Sequence, residues 1–168
     1  MNDPDSSFIP FLSMLLYLLR HADADTVAES DDARCLSEKG HTQARKVARF
    51  CEAHELKPAQ VLSSPVRRAH ETALIVSAHL RAELEVAPWL ACGMNPERAL
   101  EELREHRRHE SVMIVGHEPD FSRLAAHLLG LPGGDRITIR KASLTLLEVE
   151  TFRGAGAQLK FSLPCRLM

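Results

Sequence analysis

The sequence predicts an α/β domain of three layers, a mostly parallel β-sheet flanked by helices on both faces. Three observations predict it. Short continuous apolar runs recur along the chain, the mark of strands buried on both faces. Helical patterns separate the first three of these runs, which is the alternation that builds a parallel sheet through crossover connections. At 168 residues with 45% hydrophobic content, the chain also suits one domain with a substantial core.

The first run is MLLYLL at 14–19. Met14 directly precedes it, so residues 1–13 are expected to be a loose extension or an over-called start, and 14–168 a single domain. A helix follows, with Ser37 as N-cap, Glu38 in its first turn, and Ala44, Val47, Ala48 and Cys51 on one face. QVLSS at 60–64 is the second strand. It leads into a helix expected to start at Ser64 with Pro65 at the first helical position, aligning Val66, Ala69, Ala73, Val76 and Leu80. A third helix, 96–107, is strongly charged and is expected to be peripheral. SVMIVG at 111–116 is the third strand, and the helix after it begins near Pro119, buries Phe121, Leu124, Ala125 and Leu128, and stops at Gly130. LPGGD turns the chain towards two closing strands, 143–150 and 158–163.

The charge balance excludes some function classes. With 21 basic and 23 acidic side chains the net charge is -2, so no sequence-wide field favours nucleic acid or an anionic membrane. Any anion site must be local. The four cysteines lack C-x-x-C spacing and read as reduced thiols of a cytoplasmic protein. The N-terminus has no basic region ahead of an apolar one, and no apolar run approaches the roughly 18 residues of a membrane span.

In open α/β sheets, ligands bind beyond the carboxyl ends of the strands, where loops enter helix N-termini. Three such ends carry informative residues: Arg20-His21, SSPVRRA at 63–69, and Gly116-His117-Glu118-Pro119. At about 100° per residue the apolar stripe of the second helix lies opposite Arg67 and beside Arg68, so Arg68 leans over the strand ends while Arg67 faces water. Arg20, His21, Arg68 and His117 thereby converge with no carboxylate obviously paired to each. Such a cluster repels itself unless an anion occupies it, and the planar guanidinium fork suits phosphate oxygens. The other seven histidines lie on or at the ends of helices. His106 and His109, in EHRRHE, read as a solvated face rather than a metal site.

These residues resemble the histidine phosphatase superfamily, and most closely its short SixA-type phosphohistidine phosphatase branch. LLRHADA matches the superfamily's Arg-His-Gly motif, with Ala22 in the glycine position, where positive φ is less accessible. SSPVRRAHETA matches the second motif, VGHEP the downstream Gly-His motif, and LSEKGHTQA the segment between the first two. The resemblance implies a phosphoglycerate mutase-like fold and a phosphatase that needs neither cofactor nor metal. It also implies that His21 is the phosphoryl-accepting nucleophile, and that Arg20, Arg68 and His117 bind the phosphoryl oxygens. The implied substrate is a phosphohistidine protein, with a small phosphorylated metabolite, handled by a phosphomonoesterase or mutase, as the alternative.

Larger members of the superfamily carry a proton-donating acid in an insertion that is short here, APWLACGMNPE at 87–97. An alkoxide leaving group needs that proton. A protonated imidazole departs as a neutral species with a pKa of about 6.5 and needs little acid help, so the short insertion favours an N–P bond. Asp23, Asp25 or Glu118 could still supply a proton.

Two rival motifs fail on context. Asp23-Ala-Asp25-Thr-Val27 fits an aspartyl-phosphatase pattern, but Arg20, His21 and Ala22 separate it from its strand, and the later acidic pair for magnesium is missing. Cys92-x5-Arg98 has cysteine-phosphatase spacing, yet Glu97 places negative charge inside the loop. A non-catalytic phosphate binder would have no need of the nucleophile.

Overall fold

The structure, a computed structural model, describes residues 13–133 and 136–168. The expectation of a loose extension at 1–13 therefore lies outside the described residues, apart from Ser13, whose hydroxyl donates to Glu148 at 2.6 Å. The elements run β1 (Met14–Arg20), α1 (Glu38–Ala53), β2 (Gln60–Ser63), α2 (Arg67–Leu80), β3 (Glu83–Val86), α3 (Pro96–Glu105), β4 (Ser111–Gly116), α4 (Asp120–Leu129), β5 (Leu144–Val149) and β6 (Ala157–Leu163), with 3-10 turns at Pro88–Leu90 and Cys165–Leu167. The six strands form one sheet in the order β3-β2-β4-β1-β5-β6. β3, β2, β4 and β1 are mutually parallel, while β5 runs antiparallel to β1 and β6 antiparallel to β5.

The three layers follow from the two-residue period of the strands. Leu16 and Leu18 of β1, Leu62 of β2 and Val112 and Ile114 of β4 face the side covered by α3 and α4, where they meet Leu100, Leu103, Phe121, Leu124 and Leu128. Tyr17 and Leu19, Val61, and Met113 and Val115 face the other side, where they meet Ala44, Val47 and Cys51 of α1 and Ala69, Ala73 and Val76 of α2. The continuous apolar runs 14–19 of β1 and 112–115 of β4 thus supply two cores.

Three expectations are corrected. β3 was not foreseen, because it is a four-residue edge strand with two glutamates and mostly exposed side chains. α2 begins at Arg67 with Val66 as N-cap, not at Ser64, since the Ser64 hydroxyl is used elsewhere. α3 ends at Glu105 and is less peripheral than its charge suggests, burying Ala99, Leu100 and Leu103 beneath a solvated face.

Two glycines are fixed by close approach. A Cβ on Gly40, in the first turn of α1, would stand 1.9 Å from the Asp23 carbonyl oxygen, and one on Gly116, at the end of β4, 2.9 Å from the Phe121 ring. They let α1 and α4 close against the ends of β1 and β4, where the polar cluster lies.

Candidate active site

His21 follows the last residue of β1 and His117 the last residue of the adjacent β4, so the parallel register Arg20↔Gly116 sets the two imidazoles side by side. Their ring centroids are 5.3 Å apart, and both side chains are buried. Arg68, in the first turn of α2, joins them: its Nε donates to His21 Nε2 at 3.4 Å. Arg67, one residue earlier, is exposed and pairs with Glu71 at 2.8 Å. The helix phasing read from the sequence therefore holds despite the later helix start.

His21 is held as one tautomer. Its Nδ1 lies 2.8 Å from the Ala22 carbonyl oxygen, which can only accept, so Nδ1 carries the proton and Nε2 keeps its lone pair towards Arg68. Burial pushes the ring pKa down to about 3, and the positive charges of Arg68 and Arg20 add to that effect. The ring is neutral across the physiological range. Ala22 itself is not in the positive-φ region. Its N–H donates to Thr72 Oγ1 at 3.0 Å, so the exchange of glycine for alanine introduces no backbone strain.

His117 is likewise neutral, its pKa pushed down to about 4 first by burial and then by Arg68. Its Nε2 sits 2.8 Å from Ser64 Oγ. That oxygen already accepts from the Val66 N–H at 3.2 Å, and its own proton has no other acceptor among the described residues. The hydroxyl therefore donates to Nε2, which places the imidazole proton on Nδ1. Nδ1 is buried without a protein partner, an N–H donor left for a ligand. The sequence places Ser64 only at a helix start and within the SSPVRRAHETA motif, since nothing in its spacing reveals the bond to His117.

A second correction concerns Arg68, which was expected to be free of carboxylates. Its Nη2 pairs with Asp31 Oδ2 at 2.9 Å, and its Nη1 donates to the Asp31 carbonyl at 2.7 Å. Asp31 lies on the irregular 24–35 loop, where no periodicity could place it, and its side chain is 63% exposed. Arg20 donates from Nη1 to the Ile139 carbonyl at 2.9 Å, while its Nε is buried without a partner.

The possible proton donors differ. Asp23 bonds to Lys141 at 2.7 Å and to the Ser37 hydroxyl at 2.8 Å, and the Lys141 bond above all holds its carboxyl below the usual range. Asp23 is thus held ionised, with Lys141 as its partner. Asp25 is exposed and accepts from the Cys35 thiol at 3.4 Å. Glu118 accepts from Ser122 at 2.7 Å through Oε2, leaves Oε1 buried without a partner, and acts electrostatically on Arg20. Of the cysteine motif, Cys92 lies 3.9 Å from Arg68, but Arg98 is exposed and turned to Glu102 at 3.6 Å. No group of three His, Cys, Asp or Glu side chains among the described residues could hold a metal ion.

Comparisons with known proteins agree with this geometry. The model of the histidine phosphatase superfamily (branch 1) matches residues 16–91, which include Arg20, His21 and Arg68. The phosphohistidine phosphatase SixA of Escherichia coli is 30% identical over 119 residues, covering 68% of this chain and 74% of that protein. The chain belongs to the histidine phosphatase superfamily. It is a phosphatase of the SixA-type branch. Among solved structures, the protein histidine phosphatase SixA complexed with tungstate superposes with a TM-score of 0.82 at 24% identity, over 92% of this chain and all (100%) of that one. The fold is shared by the alpha-ribazole phosphatase from Shigella flexneri, which superposes with a TM-score of 0.76 at 18% identity, over 90% and 97% of the two chains. No helix among the described residues is long and apolar enough to cross a membrane.

Proposed function

We propose that the chain is a protein phosphohistidine phosphatase in which His21 Nε2 is the nucleophile. The observation that carries this reading is the Nδ1–H bond from His21 to the Ala22 carbonyl, which leaves a neutral ring with its lone pair towards Arg68. The substrate phosphoryl group sits between Arg68, Arg20 and the Nδ1–H of His117, with its oxygens displacing Asp31 from Arg68 Nη2. Nε2 attacks phosphorus, the N–P bond to the substrate imidazole breaks, and the phosphoryl group stays on His21 until water removes it. Arg20, Arg68 and His117 donate to oxygens whose charge rises in the transition state.

The short 87–97 segment, whose one acid, Glu97, lies against His127 at 3.9 Å, supports an N–P substrate, as does the likeness to SixA. The rival, a phosphomonoesterase or mutase acting on a small metabolite, would need to protonate an alkoxide, and Glu118 is the residue that would do so. The test is to compare turnover of a histidine-phosphorylated protein with that of phosphoserine. The reading predicts kcat/KM higher for the phosphohistidine protein by at least about 100-fold, the scale of missing general-acid help. Preference for phosphoserine, lost in Glu118→Gln, would instead establish the rival.

A further inference from the structure

Beside the His21 cluster a cavity of about 470 Å³ opens on the β5 side of β1. Five cationic side chains line it, Arg20, Lys39, Arg140, Lys141 and Arg166, against one carboxylate, Asp23. They come from the end of β1, the first turn of α1, the segment before β5 and the C-terminal 3-10 turn. Asp23 is taken by Lys141. Among the described residues no carboxylate lies within 4.0 Å of the charged nitrogens of Lys39, Arg140 or Arg166. In a chain of net charge -2, Lys39, Arg140 and Arg166 thus stand together around a hollow with no acidic partner among the described residues. The concentration of positive charge favours an anion in the hollow.

Arg20 links the cavity to the reaction centre. It lines the hollow, its Nε is buried without a partner, and it is bonded in sequence to His21. An anion in the cavity therefore belongs to the molecule whose phosphoryl group lies on His21. Lys39, Arg140 and Arg166 are exposed, so the charge forms an open mouth rather than an enclosed pocket for a small metabolite.

We propose that this cavity is a subsite for acidic side chains flanking the phosphohistidine of a protein substrate. The proposal rests on the phosphohistidine reading above and adds the substrate's sequence preference. It assigns Lys39, Arg140 and Arg166 to substrate selection and gives them no part in the chemistry.

The experiment uses two peptides carrying a non-hydrolysable phosphonate analogue of phosphohistidine, one with aspartate and glutamate neighbours and one with asparagine and glutamine. Dissociation constants are measured for the wild type and for the Lys39→Ala/Arg140→Ala/Arg166→Ala variant. The wild type is expected to bind the acidic peptide at least about tenfold more tightly, with a steep salt dependence, and the variant to bind both peptides alike. Hydrolysis of a small aryl phosphate should stay within about twofold in the variant, since the three residues lie outside the reaction centre. No discrimination by the wild type, or discrimination that survives in the variant, overturns the proposal. A free bisphosphorylated small molecule binding more tightly than either peptide also overturns it, in favour of a metabolite site. Because these readouts are binding constants, failure to hydrolyse a genuine phosphohistidine protein would remove the substrate reading without touching the result for the subsite.

Discussion

At the scale of single residues, the site is built from two neutral imidazoles, each locked by one hydrogen bond. Their backgrounds differ. His21 is oriented by its own neighbour's carbonyl and cannot lose that partner by substitution, whereas His117 depends on the Ser64 side chain. Ser64→Ala should leave the fold intact and lower kcat/KM by roughly tenfold or more, the equivalent of about 1.4 kcal/mol. The loss should fall mainly in kcat, because the freed ring can take the wrong tautomer in the transition state. Steady-state kinetics of Ser64→Ala and Ser64→Thr check this, with the threonine recovering much of the rate; equal losses in both would contradict the positioning role. Arg20, His21, Arg68 and His117 were all legible, because each follows or faces the end of an apolar strand. Ser64 and Asp31 were not: one reads only as a helix start within its motif, and the other sits on a loop without periodic pattern.

At the scale of elements, continuous apolar runs mark the strands, and apolar residues at helical spacing mark the helices between them. Neither pattern finds β3, whose four half-polar residues carry no period to read. Nor does either fix the start of α2, because the sequence cannot reveal which acceptor a serine hydroxyl will serve. What survived is the phase of α2, which turns Arg68 inward and Arg67 outward. Arg68→Ala should therefore lower kcat and raise KM together, by about 100-fold or more in kcat/KM. Arg67→Ala removes only an exposed pair with Glu71, and should change stability by less than about 1 kcal/mol and turnover hardly at all. Parallel kinetics of the two variants measure the contrast; similar losses would mean that the helix phase is not what selects the phosphate ligand.

At the scale of the whole molecule, the buried neutral histidines tie stability to pH. The folded-state values, about 3 for His21 and about 4 for His117, lie below the roughly 6.5 of an unfolded histidine. As pH falls below 6.5 the unfolded chain takes up protons that the native chain refuses. Their contribution is thus complete above 6.5 and is lost progressively as pH falls towards 3. Each of the two contributes a slope of up to about 1.4 kcal/mol per pH unit in that window. Urea unfolding of the wild type should show stability dropping between pH 6.5 and 5, and the His21→Gln/His117→Gln variant should show a shallower drop. An unchanged slope would mean that neither ring is held neutral. The three-layer sheet makes this burial possible, since two cores meet at the strand ends and α1 and α4 close over them through Gly40 and Gly116.

The central claim is that His21 carries the phosphoryl group, and trapping the enzyme after brief exposure to a labelled phosphodonor tests it most directly. The account predicts protein-bound label that is stable in alkali, lost in acid and absent from His21→Ala. Label that is lost in alkali and that depends on Asp23 would contradict it, moving the chemistry from the imidazole to the aspartates.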